Sequence, residues 1–169
     1  MELSWMKKHR SLIGKMIRFA NTYATMYTKV TDLGAELRLS AAQIQTLEYV
    51  LENEDCNMSE LAQKLGVPRA TFSKNVKVIE GLGLVRRYKR KDNRKNIYLF
   101  ATDEGREVYR AYSEYALQIW YRPLFDIADS VPPAELRKFE AILDAHTKIL
   151  IRAGQIEDEV EIYEPVTAV

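Results

Sequence analysis

The sequence predicts a mainly α-helical chain that carries one small β-hairpin. Over most of the 169 residues, apolar side chains recur at intervals of three and four, the period of helices with one buried face. Between residues 84 and 101 that period is lost, and two short runs rich in β-branched and aromatic residues flank Asp92 and Asn93. Just before this hairpin, Gly66 and Pro68 separate two short helical segments.

A long helix opens the chain and is predicted to end near Gly34. Its apolar stripe comprises Ile13, Met16, Ala20, Tyr23, Tyr27 and Val30. Ser40 stands three residues before Gln43, and this pair predicts a capping box at the start of a second helix.

A short third helix, ELAQKL, follows Ser59, which is a favourable N-cap residue. Gly66 is predicted to close that helix in the left-handed conformation, and Pro68 stands where a fourth helix begins. The fourth helix turns Phe72, Val76 and Ile79 inward. The order is therefore helix, short helix, tight turn, helix, hairpin.

Two more long helices are predicted after the hairpin. Thr102 caps the first of them, and Pro123 must kink or end it. The last helix starts near Pro133, and its apolar seam is suited to a partner helix. The seam comprises Leu136, Phe139, Leu143, His146 and Leu150. Residues 154–169 are predicted to form an acidic tail that is mobile or loosely docked.

Charge is distributed very unevenly along the chain. Residues 59–100 hold eleven bases and three acids, a net charge of +8, whereas the rest of the chain carries −7. Within RRYKRKDNRKNIYLF, residues 86–100, seven of the first ten residues are basic. This asymmetry makes one region attractive to a polyanion.

Several classes of function are disfavoured. Cys56 is the lone cysteine and there are two histidines, so neither a disulfide nor a cysteine-based metal site is expected, and no cofactor is implied. The sequence has no Gly-rich phosphate loop and no paired nucleophile and base, which argues against an enzyme. No apolar stretch has the length of a signal peptide or membrane span, so a cytoplasmic protein is expected.

The order of elements is that of a winged helix-turn-helix, and double-stranded DNA is the polyanion that it suits. If the fourth helix faces inward as above, its outward side would enter the major groove, and the hairpin would lie on the backbone or in the minor groove. The predicted recognition residues are Arg69, Ala70, Thr71, Ser73, Lys74 and Lys77. The predicted wing contacts are Arg87, Lys89, Arg90, Lys91, Arg94 and Lys95.

The run MSELAQKLGVPRATFSKNVKVIEGLGLVRR, followed by ATDEG, resembles the MarR family of dimeric transcriptional regulators. The resemblance implies a homodimer joined by the first and last two helices, with a small-molecule pocket between that helical part and the winged domains. The domains would be 1–36 with 102–153 for dimerisation, 37–101 for DNA binding, and 154–169 as tail. Tyrosines that would border the pocket suit a small aromatic or amphipathic effector. They are Tyr23, Tyr27, Tyr49, Tyr112 and Tyr115.

The wing departs from the family pattern. Thr102 and Gly105 fall where that family has T-x-x-G, but Asn93 and Lys95 occupy the positions of its wing Asp-x-Arg. Either the hairpin is shifted by one residue or its tip is built differently.

The expected function is that of a ligand-responsive, homodimeric repressor that binds a pseudo-palindromic operator in double-stranded DNA. The main alternative is a winged helix that docks on an acidic protein partner, which predicts little affinity for duplex DNA. RNA binding is a third possibility, although exposed aromatic stacking platforms would then be expected.

Overall fold

The computed structural model describes residues 4–32, 37–91 and 94–157. The chain divides into two units, residues 1–116 and 117–169. Their helices and strands are mainly those expected, with a small two-stranded sheet as the wing. A mainly α-helical fold with a β-hairpin wing is confirmed.

The first unit begins with a 3₁₀ segment, Ser4–His9, and helix α1, Arg10–Tyr27. The helix ends earlier than the sequence predicts, because Val30 belongs to strand β1, Val30–Asp32. This strand pairs antiparallel with β2, Arg38–Ser40, and Val30 lies opposite Ser40. Val30 fits the helical period, but as a β-branched residue it is also favourable in a β-strand, where it pairs with the neighbouring strand. The predicted helix end at Gly34 lies outside the described residues.

Helix α2, Ala41–Glu52, begins with the expected capping box between Ser40 and Gln43. Helix α3, Met58–Leu65, differs from the prediction at its start, because its N-cap is Asn57 and not Ser59. The Asn57 side chain accepts from two backbone N–H groups, and Glu60 closes the box by accepting from the Asn57 N–H. Ser59 is thus the second residue of the helix. Gly66 ends it with φ of 74°, as predicted.

Helix α4, Arg69–Gly81, packs against α2 and α3. Its Phe72, Val76 and Ile79 side chains are fully buried in the core between these helices. Burial of three such side chains contributes about 1.5–3 kcal/mol each. Strands β3, Val85–Tyr88, and β4, Tyr98–Ala101, then form the wing. Their register places Val85 opposite Ala101.

Helix α5, Asp103–Ala116, completes the first unit and packs on α2 and β4. Thr102 caps it as predicted, because its hydroxyl accepts from the Gly105 N–H at 3.1 Å. The same hydroxyl donates to the Gly83 carbonyl at 2.7 Å. One side chain therefore ties the start of α5 to the end of α4.

The second unit contains a π-helical segment, Leu117–Tyr121, then α6, Arg122–Asp129, and α7, Pro133–Glu157. Pro123 lies at the second position of α6, where a missing N–H is tolerated, so a new helix begins there. The start of α7 at Pro133 is as predicted, but α7 continues through Gly154, where the tail was expected to begin. Tail residues 158–169 lie outside the described residues.

Candidate nucleic-acid interface

Helix α4 presents an outward face free of acids from Arg69 to Ile79. Arg69, Ala70, Thr71, Lys74 and Lys77 are exposed and Ser73 is half-buried, so all six predicted recognition residues are accessible. Small side chains such as those of Ala70 and Ser73 leave room for close approach of a helix to a groove, and lysine is a residue type that can donate to guanine edges or phosphates.

The rotation of α4 about its axis is fixed by a buried amide that the sequence analysis missed. Asn75 is 9% exposed, and its Nδ2 donates to Thr46 Oγ1 at 3.2 Å and to the Ala42 carbonyl at 3.4 Å. The Thr46 hydroxyl itself donates to the Ala42 carbonyl at 2.8 Å. Hydrogen bonds that join α4 to α2 in this way hold the opposite face of α4 toward solvent. Asn75 was not among the residues predicted to face inward, although its spacing, three residues after Phe72 and four before Ile79, indicates the buried face of the helix.

The base of the wing is fastened to the segment between α2 and α3. The Met58 N–H donates to the Ile97 carbonyl at 2.9 Å, and Asn57 forms an isolated antiparallel bridge with Tyr98. Tyr98 is buried and stacks on Tyr88 across the hairpin, with ring centroids 5.5 Å apart. The stem of the wing is therefore positioned by the same unit that carries α4.

One face of the hairpin points to solvent. Arg86 lies opposite Phe100 in the register, and both are exposed, whereas the next residue on β4, Leu99, is buried. Arg86 belongs to the basic run but was not among the predicted wing contacts. The alternation of the strand would have indicated its outward direction.

Two predicted wing arginines are held by acids of the same chain. Arg87 Nε lies 2.9 Å from Glu80 Oε2, at the end of α4. Arg90 Nη2 donates to Asp55 Oδ1 at 3.0 Å, and its guanidinium lies 4.2 Å from the centroid of the Tyr98 ring. Desolvation lowers the pKa of Arg90, but a hydrogen bond with Tyr88 and the charges of Tyr98, Tyr88 and Asp55 outweigh it and raise that pKa. The sequence pattern revealed neither acid as a partner.

The other predicted wing bases are exposed. They are Lys89, Lys91, Arg94 and Lys95. Asp92 and Asn93 lie outside the described residues, so the register of the wing tip stays an open prediction.

Three of the five predicted effector tyrosines come together on α1 and α2. Tyr23 stacks on Tyr27 with centroids 5.8 Å apart, and its hydroxyl accepts a hydrogen bond from Gln45. Burial raises the pKa of Tyr27, and nearby Tyr23 and Tyr49 raise it further. Burial also raises the pKa of Tyr49, with added contributions from Glu48, Glu52 and Tyr23. The cluster thus favours uncharged phenols beside apolar ring faces.

The other two tyrosines lie on α5. Tyr112 is buried at 8% exposure and Tyr115 is exposed at 43%. A further tyrosine of this helix, Tyr109, donates to Glu48 of α2 at 2.7 Å. Tyrosine side chains of both α1 and α5 therefore form hydrogen bonds with α2.

Within the described residues, no group of three or more His, Cys, Asp or Glu side chains is arranged to hold a metal ion. In that same part of the chain, no helix combines the length and hydropathy required to cross a membrane.

Comparison with known proteins relates this fold to one family. Residues 32–95 match the model of the MarR family. An uncharacterized HTH-type transcriptional regulator of Bacillus subtilis (strain 168), YhjH, is 28% identical over 82 residues, which is 48% of this chain. The matched part spans 47% of YhjH, about half the length of that relative.

Two solved structures share the fold over most of the chain. Streptococcus pneumoniae FabT, crystallised with DNA, has a TM-score of 0.59 and 18% identity, covering 86% of this chain and 98% of FabT. Streptomyces coelicolor PcaV, crystallised with its natural ligand, has a TM-score of 0.59 and 17% identity, and the match covers 86% of this chain and 97% of PcaV. The MarR family consists of transcriptional regulators, which are not enzymes. The family model thus matches the segment that holds most of the winged helix-turn-helix, so this segment of the chain is similar to the MarR family, and the solved structures share the fold over most of the chain.

Proposed function

We propose that this protein is a transcriptional regulator that binds double-stranded DNA with α4 and the wing. The observation that carries the proposal is the acid-free, exposed face of α4, which adjoins a hairpin with exposed bases on the same unit. The similarity to the HTH-type regulator YhjH and to FabT, solved in complex with DNA, supports this proposal.

The two elements have different tasks. Ser73, Lys74 and Lys77 on α4 contact base edges in the major groove, where each base pair has a distinct pattern of donors and acceptors. The wing bases contact phosphates or enter the minor groove, and they supply affinity that depends little on sequence. Arg86, which points outward from β3, joins the predicted wing contacts in this task.

We propose that the active form is a homodimer. None of residues 117–153, the part of the second unit whose side-chain exposure the structure describes, is buried within the single chain, although many are large and apolar. On α7, Phe139, Leu143 and Leu150 are 49%, 36% and 58% exposed. Contiguous apolar surface of this kind is covered by a partner, and a second copy would give two α4 helices for successive major grooves.

We propose further that the tyrosine cluster on α1 and α2 contributes to an effector site for a small aromatic or amphipathic molecule. The stacked rings of Tyr23 and Tyr27 offer apolar faces, and the phenol groups offer hydrogen bonds. A ligand there would shift the dimer between forms that differ in DNA affinity and would release an operator, as a repressor requires. PcaV, solved with its natural ligand, supports a ligand-responsive function.

The decisive experiment is selection of bound sequences from a random pool of duplexes at near-physiological salt. A two-fold palindrome with half-sites about one helical turn, roughly 34 Å, apart is the expected result for a dimeric reader of the major groove. Absence of enrichment, with weak binding abolished by modest salt, would overturn the proposal and favour docking on an acidic protein.

A further inference from the structure

Arg90 occupies a defined position at the side of the wing. Its guanidinium lies 4.2 Å from the centroid of Tyr98, a buried ring fixed by pairing with Asn57 and by stacking on Tyr88. Such cation–π contacts fix the orientation of an arginine. The guanidinium is therefore placed before any DNA arrives.

The anion that completes this arrangement is Asp55, from the segment between α2 and α3. Its carboxylate accepts from Arg90 Nη2 at 3.0 Å, yet its side chain has a relative accessibility of 102%. An ion pair with a fully solvated carboxylate is weak and exchanges readily. A DNA phosphate presents the same kind of oxygen to the guanidinium.

Resting on the proposed function, we propose that Asp55 is a competing anion that occupies Arg90 in the absence of DNA and thereby lowers affinity for DNA of any sequence. A phosphate must displace the carboxylate, whereas the guanidinium stays over Tyr98. Because this cost applies to every sequence, Asp55 weakens specific and non-specific binding alike, and the ratio between them is set by recognition through α4.

Exchange of Asp55 for a phosphate at Arg90 changes how DNA affinity depends on salt concentration. A base that neutralises a phosphate releases condensed counterions, and each such contact adds about 0.9 to the slope of log affinity against log salt. At Arg90 the exchange of Asp55 for phosphate leaves a carboxylate that takes up a cation from solution. The contribution of Arg90 to the slope is therefore largely cancelled in the native protein.

The chain provides a closely matched control. Glu54 precedes Asp55 and is also an acid, but it pairs with Arg106 of α5 at 2.7 Å and not with the wing. Asp55→Asn and Glu54→Gln remove the same charge from adjacent positions, and only the first releases Arg90.

The test measures affinity for a non-specific duplex by fluorescence anisotropy between 50 and 300 mM salt. For Asp55→Asn we expect about two- to fivefold tighter binding at the lowest salt. We also expect a slope steeper by up to about 0.9. For Glu54→Gln we expect less than half of either change. In an Arg90→Gln background, Asp55→Asn should behave like Glu54→Gln, since no guanidinium remains to be released.

Each outcome has a distinct meaning. If the native protein shows no salt-dependent binding to duplexes, the proposed function is wrong. If it binds, but the two single variants are alike or Asp55→Asn keeps its effect without Arg90, Asp55 acts only through its general charge and this inference is wrong. Circular dichroism melts of all variants would identify loss of folding.

Discussion

The backbone of Gly105 lies directly against the Leu84 carbonyl, so that a Cβ added to Gly105 would stand 2.2 Å from that oxygen. The same carbonyl accepts a hydrogen bond from the Thr102 N–H at 3.0 Å. The Thr102 hydroxyl donates to the Gly83 carbonyl and accepts from the Gly105 N–H. The threonine and the glycine of ATDEG therefore join three elements: the end of α4, the start of the wing and the start of α5.

We predict that Gly105→Ala lowers the free energy of unfolding by roughly 3 kcal/mol, the upper part of the range for overpacking. The reason is that the added methyl meets a backbone atom that cannot move without breaking the Thr102 contact. Chemical denaturation measures the loss. Gly81→Ala is the control, because a Cβ there meets nothing within 4 Å and alanine favours the helix. Equal free energies of unfolding for Gly105→Ala and Gly81→Ala would contradict the close contact between Gly105 and the Leu84 carbonyl.

The Asn75 amide supports a second prediction about stability. Asn75→Ala removes both hydrogen bonds between α4 and α2 and leaves a cavity beside Thr46, so we expect a loss of about 1–3 kcal/mol in the free energy of unfolding. Thr46→Val removes one acceptor, and its effect should be far from additive with that of Asn75→Ala. Additive losses in a double-mutant cycle would show that the two side chains act independently.

Local patterns predicted most of the first unit. The capping box at Ser40, the left-handed Gly66, the inward face of α4 and the position of the hairpin all follow from short-range rules, and the structure has them. The errors occurred where two local signals compete. Asn57 and Ser59 are both good caps, and Asn57 caps α3 because it also pairs with Tyr98 of the wing.

The candidate site was predictable as a surface, but its pairings were not. Exposure of Lys74 and Lys77 follows from helical periodicity, whereas the contacts of Arg90 with Asp55 and of Arg87 with Glu80 depend on tertiary structure. Residues 35 positions apart, such as Asp55 and Arg90, share no sequence period. A count of bases therefore overestimates the net positive charge at the wing, because Glu80 and Asp55 offset two of its arginines.

DNA contacts from α4 and from the wing should be distinguishable by their dependence on sequence. We predict that Lys74→Ala alters the preferred bases and costs about 1–3 kcal/mol on the selected site. Arg94→Ala should weaken binding to all duplexes alike and reduce the salt slope by about 0.9. Competition between the selected site and a scrambled duplex measures both effects. A uniform loss for Lys74→Ala would show that this helix does not read bases.

Alkaline pH should destabilise the protein through the tyrosine cluster. The pKa of Tyr27 is raised by burial and by its tyrosine neighbours, so the folded state retains the phenolic proton more tightly than the unfolded state. Stability from this source is fully present below about pH 10, the pKa of an unfolded tyrosine, and is lost as pH rises through the higher folded value. Tyr27→Phe should therefore show a shallower loss of stability above pH 10. Parallel curves for both proteins up to pH 11 would contradict this linkage.

The seam of α7 gives the most direct test of dimerisation. Leu143 and Leu150 are one heptad apart and exposed in the single chain, so a charge at either position costs the monomer little but would be buried in a dimer. We predict that Leu143→Glu shifts the protein toward monomer in sedimentation velocity and weakens binding to a palindromic duplex at least tenfold. Ala145→Glu is the control, because it adds the same charge about 200° away on the same exposed helix. If both variants sediment like the native protein, this seam is not the dimer interface.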